Sequence, residues 1–554
     1  MIGVASKEGE EEIVSEFFEL FKTPWEFYKD DRQYSVVIST QENTPGLDAK
    51  LVLIYNSEKI RFDIENRINV TVAPQSGALL KIKGMQVPIY GKTSTFDTSA
   101  NSVRNLETIT GQVAGIEVSK ADGRIIRLGF DLFREIRFLL TCGQPVEFSR
   151  IPTLDWHISI LREWILESGV PLVEIPPVPS GYRFACCLTH DIDFAGIRRH
   201  KFDHTILGFL YRALLGSLRN VMTGKGSWTK LYRNWKAAFI LPAVYMGIAE
   251  DFWMPFNRYR EIEKDLHSTF FIIPFKNDPG LGHENKKNSR RATRYDCSDI
   301  REEINRLLLQ GCEIGVHGID AWRDAVKGRR ELERIHEATG TSEMGIRMHW
   351  LYFKNQSPQI LEEAGFRYDS TLGYNDAVGY RSGTVQVYRP IGVKKLLELP
   401  MNIQDTALFF PDRMGLNEND AWKLIKALLD QSDDLGGALT IIWHDRSLAP
   451  ERLWGDIYIK LIDHLRKSNA WMDTASRVVR WFDKRRSVVF ENVCFSQNRV
   501  KLQITGNPDD DVPDLTVRIH KPKTGVSTDT DLGPVEKTYQ DIHFANVLNA
   551  EYPI

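Results

Sequence analysis

Apolar residues near the start of the chain recur at helical spacing. Within residues 8–21 they fall three or four positions apart and stop before Pro24, which predicts an amphipathic helix. Shorter patterns predict strands at 34–39 and 51–55 and helices at 128–140 and 156–166. We therefore expect residues 1–170 to form a small α/β domain. Four prolines within 171–179 favour extended backbone and predict a linker after it.

Between residues 181 and 485 the pattern changes to short strand-like runs that alternate with helical ones. Seven runs predict strands: 184–188, 269–273, 312–316, 345–348, 366–368, 397–401 and 438–443. Alternation of this kind is typical of βα units around a parallel sheet. The fold class expected is α/β, with a deformed (β/α)7 barrel as the central domain.

The last segment, residues 486–554, follows a third pattern. Polar and apolar residues alternate at 499–504 and 515–519, as in half-exposed antiparallel strands. A small β domain is therefore predicted at the end of the chain. Length agrees with this division, because 554 residues exceed what one hydrophobic core usually organises.

Composition and charge narrow the functional classes only slightly. The net charge is -3 with 26% charged residues, which gives no reason to expect a nucleic-acid partner. Six cysteines show no CxxC spacing, which fits a reducing compartment. The N-terminus shows no secretory signal pattern, and the longest nearly apolar run, 237–249, is shorter than the roughly 20 residues of a membrane span. A cytoplasmic protein is expected.

A long insertion, residues 195–253, separates the first two predicted strands of the central domain. Its basic segment, residues 198–236, holds nine Lys or Arg against one acid: Arg198, Arg199, Lys201, Arg212, Arg219, Lys225, Lys230, Arg233 and Lys236 against Asp203. Five residues within it form an apolar helical face: Leu207, Leu210, Leu214, Leu218 and Val221. The segment fits peripheral contact with an anionic membrane, a lid over a cleft, or an ordinary helical subdomain with a solvated basic face.

Ionisable residues follow several of the predicted strands. They are Asp191 and Asp193 after the first strand, then His317, His349, Asp369 and the pair His444 and Asp445. Catalytic groups of (β/α) barrels lie at the carboxyl ends of strands. Asp and His together suit a divalent ion such as Zn2+, held by three protein ligands with one position left for water. Such an ion makes amide or ester hydrolysis feasible at neutral pH.

At these positions the residues resemble a known family, the polysaccharide deacetylases of the NodB-homology type (carbohydrate esterase family 4). The resemblance rests on six ordered segments: LTHDID at 188–193, EIGVHG at 313–318, GIRMHW at 345–350, YDSTLG at 368–373, GYRSGT at 379–384 and IIWHD at 441–445. It covers about residues 182–483. The activity it implies is metal-dependent hydrolysis of N-acetyl groups on amino sugars of a glycan or its precursor.

The resemblance also implies roles for individual residues. Asp191 would be the general base and His444 the general acid, with Arg347 and Asp369 orienting them. Asp193 and His317 would be metal ligands. Most members carry a second His four residues after the first, but position 321 is Ala here. We therefore expect His349 as the third ligand, with Asp320 or a second water as the fallback.

Two other functions are compatible with the same residues. A related C-N hydrolase on a small amide or ureide would have a narrow closed pocket instead of an open groove. A glycan-binding protein without catalysis is conceivable because of Ala321, and it would purify without stoichiometric metal.

His190 is expected to support the site by hydrogen bonding instead of binding the metal.

Overall fold

The computed structural model describes residues 1–82, 84–97, 102–120, 123–201, 203–224, 227–496, 499–507, 509–522, 539–544 and 550–553. The chain divides into two compact units. The first consists of Met1–Gly181, Tyr380–Ile391 and Arg480–Ile554, and the second of Tyr182–Gly379 and Gly392–Val479. The sequence pattern instead divides the chain into three consecutive domains. The two terminal segments fall in one unit because Leu172–Glu174, inside the predicted linker, pairs antiparallel with Thr516–His520.

The first unit is built around a nine-stranded sheet. Its strands lie in the order Trp25–Phe27, Ile2–Ala5, Val36–Ser39, Leu51–Tyr55, Gly123–Leu128, Val113–Lys120, Ser102–Thr108, Val70–Ile82 and Met85–Phe96. The first five are parallel and the others antiparallel. Its α-helices are Glu11–Phe21, Arg61–Glu65, Leu132–Thr141, Thr153–Glu167 and the last, Ala475–Arg486, which the unit boundary crosses.

Two three-stranded sheets complete the first unit. One contains Leu172–Glu174, Thr516–His520 and Tyr539–His543, and the other Val489–Phe495, Arg499–Thr505 and Ala550–Pro553. Side chains of Arg499–Thr505 alternate between exposed and buried, as the period-two pattern predicts.

The second unit contains an all-parallel sheet. Eight strands follow one another in the order Leu397–Glu398, Tyr368–Asp369, Gly345–Met348, Glu313–Gly318, Thr269–Ile272, Phe184–Ile192, Ala438–Ile442 and Ile403–Gln404, and Ala470–Met472 also pairs with Phe184–Ile192. Its remaining α-helices are His204–Leu210, Ser217–Met222, Trp228–Tyr245, Phe256–Ile262, Arg301–Leu309, Ala325–Thr339, Ser357–Ala364, Asp405–Phe409, Glu418–Leu435 and Gly455–Lys467. All seven predicted strands are present, although those at 366–368 and 397–401 are reduced to two residues.

The number of strands corrects the expected (β/α)7 arrangement. Ile403–Gln404 is an eighth strand of the path, and it lies at the opposite end of the path from Leu397–Glu398. Only four residues separate these two strands in sequence, so the connection spans at most roughly 18 Å. The path must therefore curl back on itself into a barrel. Within the described residues no pairing joins its two ends, so the barrel has a gap there.

Close packing at one glycine fixes the approach of two barrel strands. Gly345 is paired with Tyr368, and a Cβ atom at Gly345 would lie 1.9 Å from the Cζ atom of the Tyr368 ring. The tyrosine ring therefore occupies the space that any larger residue at 345 would need. This contact positions the strand that carries Arg347.

The helical insertion has a small core of its own. It contains the helices His204–Leu210, Ser217–Met222 and Trp228–Tyr245, with a π-helix at Tyr211–Gly216. Buried residues include Ile206, Phe209, Ala213, Leu241 and Trp253. The core side of the segment is therefore offset from the predicted apolar face, where Leu207 is 63% exposed. Lys225 lies outside the described residues.

Within the described part of the chain, no helix is both long enough and apolar enough to cross a bilayer.

Candidate metal and acid–base site

The candidate site lies at the carboxyl ends of neighbouring barrel strands. Asp191 is the second-last residue of the Phe184–Ile192 strand, and Asp193 directly follows that strand. His317 lies in Glu313–Gly318, and His349 and His444 follow Gly345–Met348 and Ala438–Ile442. Parallel pairing brings these ends to one edge of the sheet.

Asp193, His317 and His349 converge on one point. Oδ1 of Asp193 lies 3.3 Å from Nε2 of His317 and 3.2 Å from Nδ1 of His349. The two imidazole nitrogens are 3.0 Å apart. One ligand atom from each residue thus lies within 4.8 Å of the others.

The backbone orients the His317 ring toward this point. Nδ1 of His317 lies 3.0 Å from the carbonyl oxygen of Arg347, so it donates its proton there. The lone pair of the imidazole is then on Nε2, which faces Asp193. A histidine that binds a metal usually has its other ring nitrogen engaged in this way.

His349 is held by an unusual turn. Trp350 and Leu351, directly after it, have φ values of 65° and 53° in the left-handed region. The buried Arg291 guanidinium donates from Nη2 to the carbonyl oxygen of His349 at 2.9 Å. Burial lowers the pKa of His349 to about 4. The imidazole is therefore neutral at physiological pH, which is the form that binds a metal.

Two nearby positions point away from Asp193 and His317: position 321, where most members of the resembled family carry a second His, and Asp320, the fallback ligand. The Cβ atom of Ala321 is among the nearest atoms to a Cβ built on Gly328, so position 321 faces the Ala325–Thr339 helix. Asp320 accepts the backbone N–H of Leu281 at 2.8 Å and pairs with Lys327. The structure thus brings His349, and not Asp320, to Asp193 and His317.

The donor set fits a divalent ion. Oδ1 of Asp193 is buried and accepts no hydrogen bond from the described residues. Burial opposes its ionisation, but His349 and His317 hold the pKa of Asp193 well below its usual range. A buried carboxylate oxygen and two imidazole nitrogens that face it form the ligand set that Zn2+ accepts with tetrahedral geometry.

Asp191 is an ionised carboxylate held by an arginine. Nη1 of Arg347 donates to Oδ1 of Asp191 and to Oγ1 of Thr189, both at 2.8 Å. Arg347 is fully buried. Burial opposes ionisation of Asp191, but the Arg347 guanidinium outweighs it and holds the pKa of Asp191 below its usual range.

His444 is paired with an aspartate that the sequence analysis missed. Nδ1 of His444 lies 2.6 Å from Oδ1 of Asp405, whose Oδ2 accepts the backbone N–H of His444 at 2.7 Å. Burial would lower the pKa of His444, but Asp405 raises it to about 9. Nε2 of His444 lies 4.0 Å from Oδ2 of Asp191. At neutral pH the site thus contains an imidazolium beside a carboxylate.

A short strand hid the role of Asp405. It follows Ile403–Gln404, which has only two residues and shows no periodicity of its own. The signal available in the sequence was the same as for Asp191 and His444, a polar residue at the carboxyl end of a barrel strand. Only recognition of the eighth strand would have revealed it.

Asp369 and His190 lie beside the acid–base pair without contacting it. Oδ1 of Asp369 accepts hydrogen bonds from the backbone and side chain of Thr371. Burial raises the pKa of Asp369 to about 7. The neighbouring Ser370 accepts from Arg347 instead. His190 places Nδ1 2.9 Å from the carbonyl oxygen of Trp443 and Nε2 3.0 Å from Glu263.

Two adjoining cavities of about 460 Å³ each open at this site. The first cavity is lined by the acid–base pair, the metal-ligand candidates and the aromatic residues Trp350, Tyr352 and Phe410. The second cavity lies against the helical insertion. Asp193, Phe194, His349 and Trp350 line both. The candidate metal position is therefore in the wall that the two cavities share.

Neither a protein-family model nor a curated protein matches this sequence. Solved structures similar to it include a protein described as a polysaccharide deacetylase from Mycobacterium smegmatis, with 20% identity, 56% of this chain and 95% of that chain covered, and a TM-score of 0.33. A second, described as a polysaccharide deacetylase from Pseudomonas aeruginosa PAO1, has 16% identity, covers 57% and 95% of the two chains, and has a TM-score of 0.34. The PuuE allantoinase has 16% identity, 55% and 92% coverage, and a TM-score of 0.34.

Proposed function

We propose that the second unit is a metal-dependent hydrolase that removes N-acetyl groups from amino sugars of a glycan or its precursor. The observation that carries this proposal is the pair formed by Asp191 and His444. The two side chains lie 4.0 Å apart and hold opposite protonation states at neutral pH. Amide hydrolysis needs both a proton acceptor and a proton donor.

The pair divides the proton transfers of the reaction. Oδ2 of Asp191 is free of Arg347 and accepts a proton from the water that attacks the acetyl carbonyl. Nε2 of His444 donates its proton to the nitrogen of the sugar as the C–N bond breaks. The products are acetate and the amino sugar, and Asp405 holds the His444 ring for both steps.

Asp193, His317 and His349 would hold the ion, with Zn2+ as the first candidate. When bound, a divalent ion polarises the amide carbonyl and stabilises the negative charge that develops on its oxygen. Arg347 links the two halves of the site, because its side chain holds Asp191 while its carbonyl oxygen orients His317.

The first cavity supports a sugar as substrate. Oε1 of Gln404 is buried, lines this cavity and has no hydrogen-bond partner among the described residues. A sugar hydroxyl would satisfy it. The aromatic side chains of Trp350 and Tyr352 offer flat apolar surface for the C–H face of a pyranose ring.

A small amide or ureide could use the same acid–base pair. Two adjoining cavities provide more space than such a substrate fills, which favours the larger substrate. A non-catalytic glycan-binding protein is the other alternative, and Ala321 is the residue that suggests it. The position of His349 beside Asp193 and His317 supports the catalytic function over that alternative.

The test is acetate release from N-acetylated oligosaccharides by the full chain, before and after chelation and after addition of Zn2+. We expect activity to disappear with chelator, return with metal, and fall at least 100-fold in Asp191→Asn and His317→Ala. His336→Ala, on the exposed side of a surface helix, is the matched control. Activity that survives chelation would overturn the metal mechanism. Hydrolysis of small ureides without acetate release would favour the alternative substrate.

A further inference from the structure

Among the charged residues that line the second cavity, five arginines outnumber two aspartates. Arg212 comes from the helical insertion, and Arg290 and Arg294 from the segment after the Thr269–Ile272 strand. No ion pair involves these three arginines within the part of the chain that the structure describes. Two further arginines on the wall are engaged: Arg291 with backbone carbonyls and Arg446 with Glu451. The cavity thus presents uncompensated positive charge.

A buried histidine points to a ligand in the same cavity. His200 is only 4% exposed, and its Nδ1 lies 2.8 Å from Oδ2 of Asp203. Its Nε2 is buried and has no hydrogen-bond partner among the described residues. A buried polar atom without a partner is costly unless a ligand or water satisfies it. The carboxylate of Asp203 is taken up by His200 and by the Thr205 and Ile206 N–H groups.

We propose that this cavity binds a phosphoryl group of the substrate, so that the amino sugar deacylated at the metal site is a sugar phosphate. Several arginines are suited to a dianionic phosphate, because a guanidinium donates two parallel hydrogen bonds to phosphate oxygens. Burial lowers the pKa of His200, and Asp203 only partly opposes this effect. A bound phosphate dianion would raise the pKa again, so that Nε2 carries a proton and donates it to a phosphate oxygen. A single carboxylate would leave much of this positive charge unpaired.

The position of the cavity makes the phosphate part of the substrate. Asp193 and His349 line both cavities, so a ligand that fills the second one touches the candidate metal position. A sugar with its acetamido group beside Asp191 and His444 can therefore place a phosphoryl substituent among Arg212, Arg290 and Arg294. Only the position of the acetamido group in this inference rests on the proposed function; phosphate binding in the second cavity does not.

The test compares binding of N-acetylglucosamine 1-phosphate and neutral N-acetylglucosamine to the full-length Zn2+-loaded protein by calorimetry. We expect the phosphate ester to bind at least tenfold more tightly. In Arg212→Gln/Arg294→Gln this preference should disappear while the affinity for the neutral sugar is unchanged. Arg219→Gln, in the same insertion but away from the cavity, should keep it. His200→Ala, with circular dichroism as the folding control, should reduce it at least threefold.

Each outcome decides a separate point. Equal affinity for the two sugars would overturn the phosphoryl site. Inorganic phosphate that binds as tightly as the sugar phosphate would show a free-phosphate site and overturn the link to the substrate. The preference should also persist in His444→Ala, which lacks the proposed acid. Absence of deacetylation together with an intact preference would therefore refute the proposed function without refuting the phosphoryl site.

A different observation concerns the outer surface of the insertion. Large apolar side chains stand exposed along one face of the Trp228–Tyr245 helix: Trp228 at 74%, Tyr232 at 67% and Phe239 at 74%. Their spacing of four and seven residues keeps them on one face. Leu207, Tyr211 and Leu215, at 63%, 59% and 61%, form a second exposed row in the same insertion. Large exposed apolar patches mark interaction sites.

Charge identifies the kind of partner for this surface. Residues 204–249 contain six Lys or Arg and no Asp or Glu. Lys230 and Arg233 have acidic partners, but Arg219 and Lys236 have none among the described residues. Exposed aromatic and aliphatic side chains with basic ones between them are typical of helices that lie in the interface of an anionic bilayer.

We infer that this surface docks onto anionic lipid. The test is co-sedimentation of the full chain with phosphatidylcholine vesicles that contain roughly one third phosphatidylglycerol, against phosphatidylcholine alone. Binding to the anionic vesicles should be strong, fall with salt, and drop at least tenfold in Trp228→Ser/Phe239→Ser. Leu309→Ser, an exposed apolar residue on another helix, is the control. Equal recovery with both vesicles, or self-association through Trp228 and Phe239 in sedimentation, would overturn the inference.

Discussion

Asp405 holds His444 through both of its carboxylate oxygens, one on the imidazole Nδ1 and the other on the backbone N–H of the same residue. Ser447 donates a further hydrogen bond to Oδ2 of Asp405. This double contact fixes the direction of the ring and the charge on it. The protonation state of the proposed acid therefore depends on one residue that lies outside the six recognised segments.

Asp405→Asn should narrow the pH range of activity, because activity should be lost at a lower alkaline pH than in the wild type. His444 has a pKa raised to about 9, and removal of the carboxylate lowers it. The protonated acid is then lost at lower pH, so the alkaline limb of the kcat/KM profile shifts downward by about one unit or more. Asp420→Asn, an exposed substitution, should leave the profile unchanged. An unshifted alkaline limb with reduced kcat would mean that His444 is not the acid.

Arg347→Lys should move the acidic limb of the same profile upward. The Arg347 guanidinium keeps the pKa of Asp191 below its usual range. A lysine ammonium is a single nitrogen, so it cannot replace all the hydrogen bonds that the planar guanidinium donates. In the variant Asp191 is ionised only at higher pH, so the acidic limb of the kcat/KM profile moves upward. The variant should also lose about 3 kcal/mol or more of unfolding free energy if the lysine fails to reach Asp191. Urea denaturation and pH–rate profiles separate the two effects.

His349→Ala should purify with well under one equivalent of metal. The imidazole supplies one of three ligand atoms within 4.8 Å, and two protein ligands bind Zn2+ weakly. Adding Ala321→His to this variant should not restore metal, because position 321 faces Gly328. Elemental analysis of both variants is the measurement. Recovery of metal by the second substitution would show that the strand end can present position 321 to the ion.

Gly345→Ala should destabilise the second unit. The new methyl group would lie 1.9 Å from the Tyr368 ring, so the ring or the strand must move. Overpacking of this kind costs about 1–3 kcal/mol. Gly216→Ala is the matched control, because its nearest neighbour would be at an ordinary 3.6 Å. Equal denaturation midpoints for the two variants would contradict the tight packing of these strands.

Asp369→Asn should alter how stability depends on pH. The folded-state pKa of Asp369 is raised to about 7 by burial, so the folded protein binds this proton more tightly than the unfolded chain. That contribution to stability is fully present below the unfolded-state pKa of about 4 and is lost as pH rises through about 7. Relative to wild type, the variant should therefore gain unfolding free energy as pH rises from roughly 4 to 7, the window between the two pKa values. A constant difference across that range would contradict the raised pKa.

The strand-end residues could be predicted because two independent constraints fix them. A buried parallel strand needs a continuous apolar run, and the chain becomes polar where the run leaves the sheet. This rule located Asp191, His317, His349 and His444. Their proximity in the structure comes from the parallel pairing of their strands, which the alternation of strand-like and helical runs indicates.

Other features depend on contacts between distant parts of the chain. Asp405 follows a strand of two residues, too short to show a period. The pairing of Leu172–Glu174 with Thr516–His520 joins segments more than 300 residues apart, so the predicted linker became part of a sheet. The exposure of Trp228 and Tyr232 depends on which side of the helix covers Ile206 and Phe209, which the pattern of leucines alone did not show.

The wall shared by the two cavities also has a thermodynamic consequence. Asp193 and His349 border both cavities, so an ion held by them would raise the affinity of the second cavity for an anion. Linkage is reciprocal, and the anion must raise the affinity for the ion by the same factor. The fraction of protein molecules that hold the ion would then be highest when the substrate is abundant. When metal is scarce, the molecules without bound substrate would lose the ion first.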